Sequence, residues 1–465
     1  MRFNTKSFDD TYGLFDTSIN FGALVPKSEN IISYIGKGIF GGYKAGFSDK
    51  YYYTQDMVYT KSEHRDVWNY ELNFTDFQRD LLIFHTWEIL GRKFQYYFLK
   101  ENCAYRLAEL LDLVIEEPFF ESKKFWYSPM DLFQRIESLN ERNVSEGRLP
   151  LVKEVNFIPS ARKKINSLFK GLSQDKLRVC NDIILNGLKF SKNRLDEYSV
   201  IEKTKILNAS LSYLQYQINA VKPKKDVKLE TRRRKLLLAR LNLPSADRKI
   251  EKVDYETSPA KGQSPFRYGV GFSQQINDRE YLNLKMTLYD NSAIGRNNLD
   301  GGELVAGDIS MSFNKRDGLK FDKLTYLKVK KRDLKEIVIA KEKKMSWDLG
   351  AFSERIHIDS KYDHNIEGAI GKSYSFLNSN QISFMIGCGL HSVYPYARYN
   401  PYIEHRFDYK LIRIISVLGV ENRKDQIETI NNLELQIDLD KNYSISAAYS
   451  NETINKFYLS YNIYR

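Results

Sequence analysis

Cysteine is scarce in this chain: three residues in 465, at Cys103, Cys180 and Cys388. They form no CxxC pair and show no metal-ligand spacing, which argues against a zinc ribbon and against a disulfide scaffold. Neither a metal nor a cofactor is expected. Long apolar runs are also missing. Each apolar stretch is broken by Lys, Arg, Asp or Asn well before the ~20 residues a spanning helix needs. The opening residues "MRFNTKSFDD" contain no apolar core of the kind a signal peptide carries, and they read as part of a strand. Histidine is sparse as well. Of the six, His64 and His85 lie in the first third, and His357, His364, His391 and His405 lie in the last.

Aromatic residues are plentiful, with 32 Tyr and 27 Phe. That composition favours strands and amphipathic surfaces over a plain helical bundle. The net charge of +12 is uneven. Between Lys222 and Lys252 there are twelve Lys or Arg against four Asp or Glu, around the run "ETRRRKLLLARLNL". A solvated helix packed by its leucines between two domains is the first reading, and contact with an anionic lipid surface the second. Nucleic acid is not expected as a partner, because no recognised nucleic-acid module surrounds the cluster.

Three textures follow one another. Residues 1–130 mix extended segments with helix. "ISYIGKGIFGGYKAGFS", with five glycines in seventeen residues, reads as strand, glycine loop, strand. "DVWNYELNF" alternates as a strand does, and "TDFQRDLLIFHTWEIL" reads as a helix capped by Thr75 or Asp76, with Phe77, Leu81, Phe84 and Glu88 on one face. Residues 131–255 read as helical and end in the basic helix. Residues 256–265, "ETSPAKGQSP", read as a linker. From 266 to 465, runs of eight to eleven residues alternate polar and apolar ("YLNLKMTLYD", "QISFMIGCGL", "KFYLSYNIYR"), with turn signals at Ile276-Asn277-Asp278 and Lys315-Arg316-Asp317-Gly318. About a dozen such strands predict an antiparallel barrel or curved sheet, soluble or of the outer-membrane type. The lysines inside or beside the strands (Lys285, Lys320, Lys323, Lys328) then belong on the lumen side or at the rims.

The run "FLKENCAYRLAELLDLV", Phe98 to Val114, carries the candidate chemistry. Leu107, Leu110, Leu111 and Val114 give one apolar face at helical period. Asn102 is a good N-cap, which puts Cys103 at the first helical position. A thiolate there lies near the positive end of the helix dipole, which lowers its pKa. The plainer alternative is a small core cysteine after an ordinary cap.

"YIGKGIFGGYKAGFS", "EHRDVWNYEL" and "HTWEILGRKFQYYFLKENCAYRL" occur in that order at compact spacing. This ordered set resembles the Lnb N-terminal periplasmic domain family, whose members often carry a β-rich C-terminal domain. The family is similar to permuted papain-like thiol enzymes, including acyltransferases of the lecithin:retinol type. The resemblance implies an α+β fold: a permuted papain-like domain over 1–130, the helical region, then the antiparallel β domain. It implies a periplasmic or outer-membrane setting in a Gram-negative bacterium. It also implies Cys103, with Asn102 before it, as nucleophile for acyl transfer or ester or amide hydrolysis on a lipid or lipoprotein substrate. Glu88, Tyr105, Arg65, Gly41 and Gly42 would support the site. The family's catalytic histidine belongs to a Gly-His pair on a strand ending near "LRF". This chain opens with "MRF" at that point, so the histidine would precede Met1. His85 and His64 are the candidates that remain; neither occupies the family position, and both read first as structural or surface residues. A non-enzymatic envelope protein, with a barrel anchor and a binding module, is the alternative function.

Overall fold

The computed structural model describes residues 1–3, 16–26, 28–63, 65–120, 127–220, 226–244, 258–275, 279–297, 301–334, 345–355, 361–377, 379–423, 426–451 and 456–465. The chain divides into two compact units, Met1–Ala260 and Lys261–Arg465.

The first unit is mixed α/β. Its sheet runs β1 (Arg2–Phe3), β2 (Thr17–Ala23), β3 (Tyr43–Tyr51) and β5 (Phe94–Tyr96), in the order β1-β2-β3-β5. A second ribbon pairs β4 (Val67–Leu72) with β6 (Val152–Ile158). Helices α1 (Ile31–Phe40), α2 (Tyr52–Asp56), α3 (Asp76–Ile89), α4 (Cys103–Asp112) and α5 (Pro129–Ser145) fill the connections. Beyond β6 come α6 (Ala161–Lys170), α7 (Gln174–Asn186), α8 (Leu188–Asp196), α9 (Val200–Ala220) and α10 (Val227–Leu241). Cys180, on α7, is fully buried among them, with Ile183, Ile206 and Leu207.

The glycine-rich run departs from the strand–loop–strand expectation, because its first half is α1. Asn30 caps it by accepting from Ser33 N–H, and Gly41 closes it in the left-handed conformation at φ +80°. Glycine inside a helix costs about 1 kcal/mol. At Gly38 the cost has an evident return, since a Cβ there would come within 2.3 Å of the Phe98 ring. Helix α10 corrects a second expectation. Leu236 is buried, but Leu237, Leu238 and Leu241 stay exposed, so only one leucine of the four packs the helix down.

Two clusters form the core around the candidate site, and α4 serves both. Ala104, Ala108 and Leu111 join Phe119, Tyr127, Leu132 and Ile136 on one side. Leu110 and Val114 join Ile19, Phe21, Ala45, Phe47 and Leu82 on the other.

The second unit is a closed antiparallel barrel of twelve strands. They are β7 (Arg267–Gln275), β8 (Glu280–Asn291), β9 (Gly302–Asn314), β10 (Gly318–Lys331), β11 (Ser346–Arg355), β12 (Tyr362–Phe376), β13 (Asn380–His391), β14 (Ala397–Tyr409), β15 (Ile412–Arg423), β16 (Gln426–Asp438), β17 (Tyr443–Ser450) and β18 (Lys456–Tyr464). Each pairs with the next, and β18 closes on β7 with Tyr464 opposite Arg267. The turn signal at 315–318 joins β9 to β10; the one at 276–278 lies outside the described residues.

The alternation along each strand points polar groups inward. On β13, Ser383, Met385 and His391 are buried, while Phe384, Ile386 and Leu390 are exposed. The four lysines follow the same rule. In the lumen, Lys285 lies 3.5 Å from Asp308, Lys323 2.9 Å from Glu354 and Lys328 2.6 Å from Glu303. Lys320 pairs with Asp317 at the rim. Exposed Tyr268, Tyr374, Tyr409 and Tyr443 ring the end where the chain enters. Tyr362, Tyr396, Tyr399 and Phe457 ring the other, with Ile366, Ile370 and Ile386 between. Charge inside, aliphatics outside and two aromatic girdles are the pattern of a barrel whose solvent is lipid.

Candidate functional site

Asn102 holds the start of α4 in place. It is 4% exposed, and its side-chain oxygen accepts from the backbone N–H groups of Ala104 at 3.0 Å and Tyr105 at 3.1 Å. Its amide nitrogen donates to the carbonyls of Phe98 and Tyr127. One side chain thus fixes the first helical turn to the segment before it and to the segment that leads into α5.

Cys103 follows at the first helical position, half-buried against the Ile19–Phe21–Phe47 cluster. Burial pushes its thiol up from the ordinary range. The backbone N–H groups of Ala104 and Cys103 and the Met1 amino group oppose that shift without overturning it. This corrects the expected lowering at a helix N-terminus: desolvation of the thiolate outweighs the dipole here. Burial lowers the Met1 amino group to about 6, and that nitrogen donates to the Ile19 carbonyl at 2.9 Å. Burial raises the Tyr96 hydroxyl to about 12, with Cys103 as the next cause. Because the thiol is raised, alkylation by iodoacetamide at neutral pH should run slower than for free cysteine. Its rate should still be climbing above pH 9, a profile that stopped-flow or mass-spectrometric labelling would record.

The other expected residues are not gathered here. His85 and Glu88 lie one helical turn apart on α3, with His85 Nδ1 3.3 Å from Glu88 Oε2, and Glu88 is exposed. Arg65 pairs with Glu63 at 3.1 Å on the surface rather than with Glu88. Tyr105 packs in the opposite cluster, its ring 4.6 Å from Phe120. Gly41 caps α1, where a Cβ would meet the Tyr97 ring; one at Gly42 would meet Lys37. His64 lies outside the described residues. Among the described residues, no histidine is among the groups that act on Cys103. Ile19 and Phe21, in the cluster that Cys103 packs against, and Tyr96, which packs there too, were not singled out from the sequence. Only Tyr96 had a signal, seven residues before Cys103 within the family-like run.

The order of these elements, ending in the capped cysteine helix, decides the comparison. Residues 1–138 match the family model of the Lnb N-terminal periplasmic domain. The first unit therefore carries an Lnb-type domain. No curated protein matches the chain. Among solved structures, the KdgM porin is similar at 10% identity, over 42% of this chain and 98% of that one, with a TM-score of 0.27. A triple mutant of the Rhodopseudomonas blastica porin is similar at 6% identity, over 43% and 98%, with a TM-score of 0.21. An Lnb-type periplasmic domain joined to a barrel with an apolar outer face makes this an envelope protein of the periplasm or outer membrane. No described helix is long and apolar enough to cross a membrane.

Proposed function

We propose that the chain is an envelope thiol enzyme, performing acyl transfer or ester or amide hydrolysis on a lipid or lipoprotein substrate through a thioester on Cys103. The barrel inserts in the outer membrane as its anchor. What supports the chemistry is the seat of the sulfur at the opening of α4, with the amides of Cys103 and Ala104 directed at it.

The Cys103 thiolate attacks the carbonyl carbon of an ester. The carbon–oxygen bond to the alcohol breaks, the alcohol leaves with a proton, and the acyl group stays on Sγ. An amine or water then attacks the thioester, the carbon–sulfur bond breaks, and the thiolate returns. The Cys103 N–H, which the Asn102 cap does not take, can stabilise the oxyanion, as can the Tyr96 hydroxyl, which keeps its proton at neutral pH. Because burial favours the thiol over the thiolate, a base must take the proton in the substrate complex.

The test is the intact mass of the full chain in detergent after incubation with phosphatidylethanolamine or phosphatidylglycerol micelles. One acyl group on Cys103, removable by hydroxylamine, is expected. No adduct and no fatty-acid release from either lipid would overturn the reading.

The raised thiol favours a second reading, a barrel-anchored binding module without catalysis. Here the barrel still migrates in a heat-modifiable way and resists carbonate extraction, while the lipids remain intact.

A further inference from the structure

The lumen of the barrel is bridged from wall to wall. Near the end where the chain enters, Lys330 Nζ on β10 donates to Glu404 Oε2 on β14 at 2.5 Å, and Arg332, just beyond β10, donates to Glu404 Oε1 at 2.9 Å. Arg332 also holds Asp348 on β11 at 2.9 Å, and Asp348 accepts from the Tyr402 hydroxyl on β14. Toward the opposite end, Lys456 Nζ at the start of β18 lies 3.8 Å from Asp322 on β10. In both bridges the lysine and its carboxylate stand four strands apart in the ring of twelve.

Strand number sets how far apart those walls ought to be. With strands about 4.8 Å apart and tilted by about 40°, a circular twelve-stranded barrel is about 24 Å across, and strands four apart lie about 21 Å from each other. A fully extended Lys–Glu bridge spans roughly 14 Å between Cα atoms. The walls are therefore drawn together at two levels, and the lumen is flattened rather than round. What remains is a cavity of about 520 Å³, with Lys330 and Glu404 among its walls beside Lys285, Lys328, Glu303 and Asp308.

The bridge at Glu404 is well made. Arg332 and Glu404 are 5% and 9% exposed at their side chains, and Glu404 receives a charge-assisted bond on each oxygen. Separating such a pair strands a buried charge, which is the costly outcome for ions held away from water.

We propose that this barrel is shut at rest, with the Lys330–Glu404–Arg332 and Lys456–Asp322 bridges as its bolts. It holds the chain in the membrane without conducting ions. The proposal rests on the reading that the barrel sits in a bilayer.

The experiment is planar-bilayer recording of the full chain in KCl, with heat-modifiable gel migration reporting a folded barrel for every sample. The native chain should insert and stay silent. E404Q should show open steps, with open probability up about tenfold or more, the scale on which coupling of this kind biases a two-state element. K330M/E404Q/K456M removes the lysine of each bolt together with Glu404, strands fewer buried charges, and should open likewise. Steady open steps from the native chain overturn the proposal, and so does a folded K330M/E404Q/K456M that stays silent. If both variants fail to fold, the native record decides: silence supports a shut barrel, and steady conduction overturns it. A native chain that never enters bilayers and shows no heat-modifiable form removes the membrane reading, and this proposal with it.

Discussion

Cys103→Ala removes turnover of the lipid substrate by two or more orders of magnitude while the fold survives. The size follows from the chemistry, since no other group at the site can carry the acyl chain between the two half-reactions, and the loss of a covalent nucleophile is among the largest single-residue effects in enzymes. The intact fold follows from the packing. Cys103 lies at the margin of its cluster, and Ala keeps both the backbone and the cap supplied by Asn102. Fatty-acid release, read by mass spectrometry beside a thermal melt, separates the two effects. An unchanged rate would show that the thioester is not on the path, and the binding-module reading would take its place.

Asn102→Ala destabilises the first unit by about 3 kcal/mol. Losing the cap costs about 1 kcal/mol, and leaving the Phe98 and Tyr127 carbonyls without their donor adds about 1 kcal/mol or more for each. Asn102→Asp isolates the two parts. Its carboxylate can still accept from Ala104 and Tyr105, but it cannot donate to the two carbonyls. It should therefore keep the helix start and still lose about 2 of those 3 kcal/mol, as urea unfolding of the full chain would record. If Asn102→Asp were as stable as the native chain, the two donated bonds would carry nothing. In the proposed thiol enzyme Asn102 is a positioning residue for Cys103.

The barrel was legible because its signal is local. Period-two alternation needs only neighbouring residues, and nine of its twelve strands stand out as clean runs from "FRYGVGFSQQ" to "KFYLSYNIYR". The strands β10, β11 and β12 are harder to see. Their inward positions hold Lys323, Lys328, Glu354 and Asp363, so charge interrupts the apolar rhythm where the lumen demands it. Helix α1 was misread because glycine usually signals a loop, whereas Gly38 serves a close approach to Phe98, sixty residues away in the chain. The start of α4 was legible for the same reason as the strands, since Asn102 and the leucine spacing are local. The surroundings of Cys103 were not, because Ile19 and Tyr96 reach it through the sheet order β1-β2-β3-β5. The direction of the thiol shift depended on that burial, which no spacing of residues reports.

The closure of β18 on β7 sets an order on folding. Residues at opposite ends of the barrel sequence, Arg267 and Tyr464, must meet before the ring has no open edge. The core around α4, by contrast, draws on residues from Ile19 to Leu151. Distant pairing is slow because loop entropy must be overcome before contacts form. The Lnb-type domain can therefore be complete while the β segment is still an unpaired chain with apolar side chains on every second residue. During that interval the molecule is most exposed to aggregation, and a folded head travels with a tail that still needs to be kept apart from its neighbours.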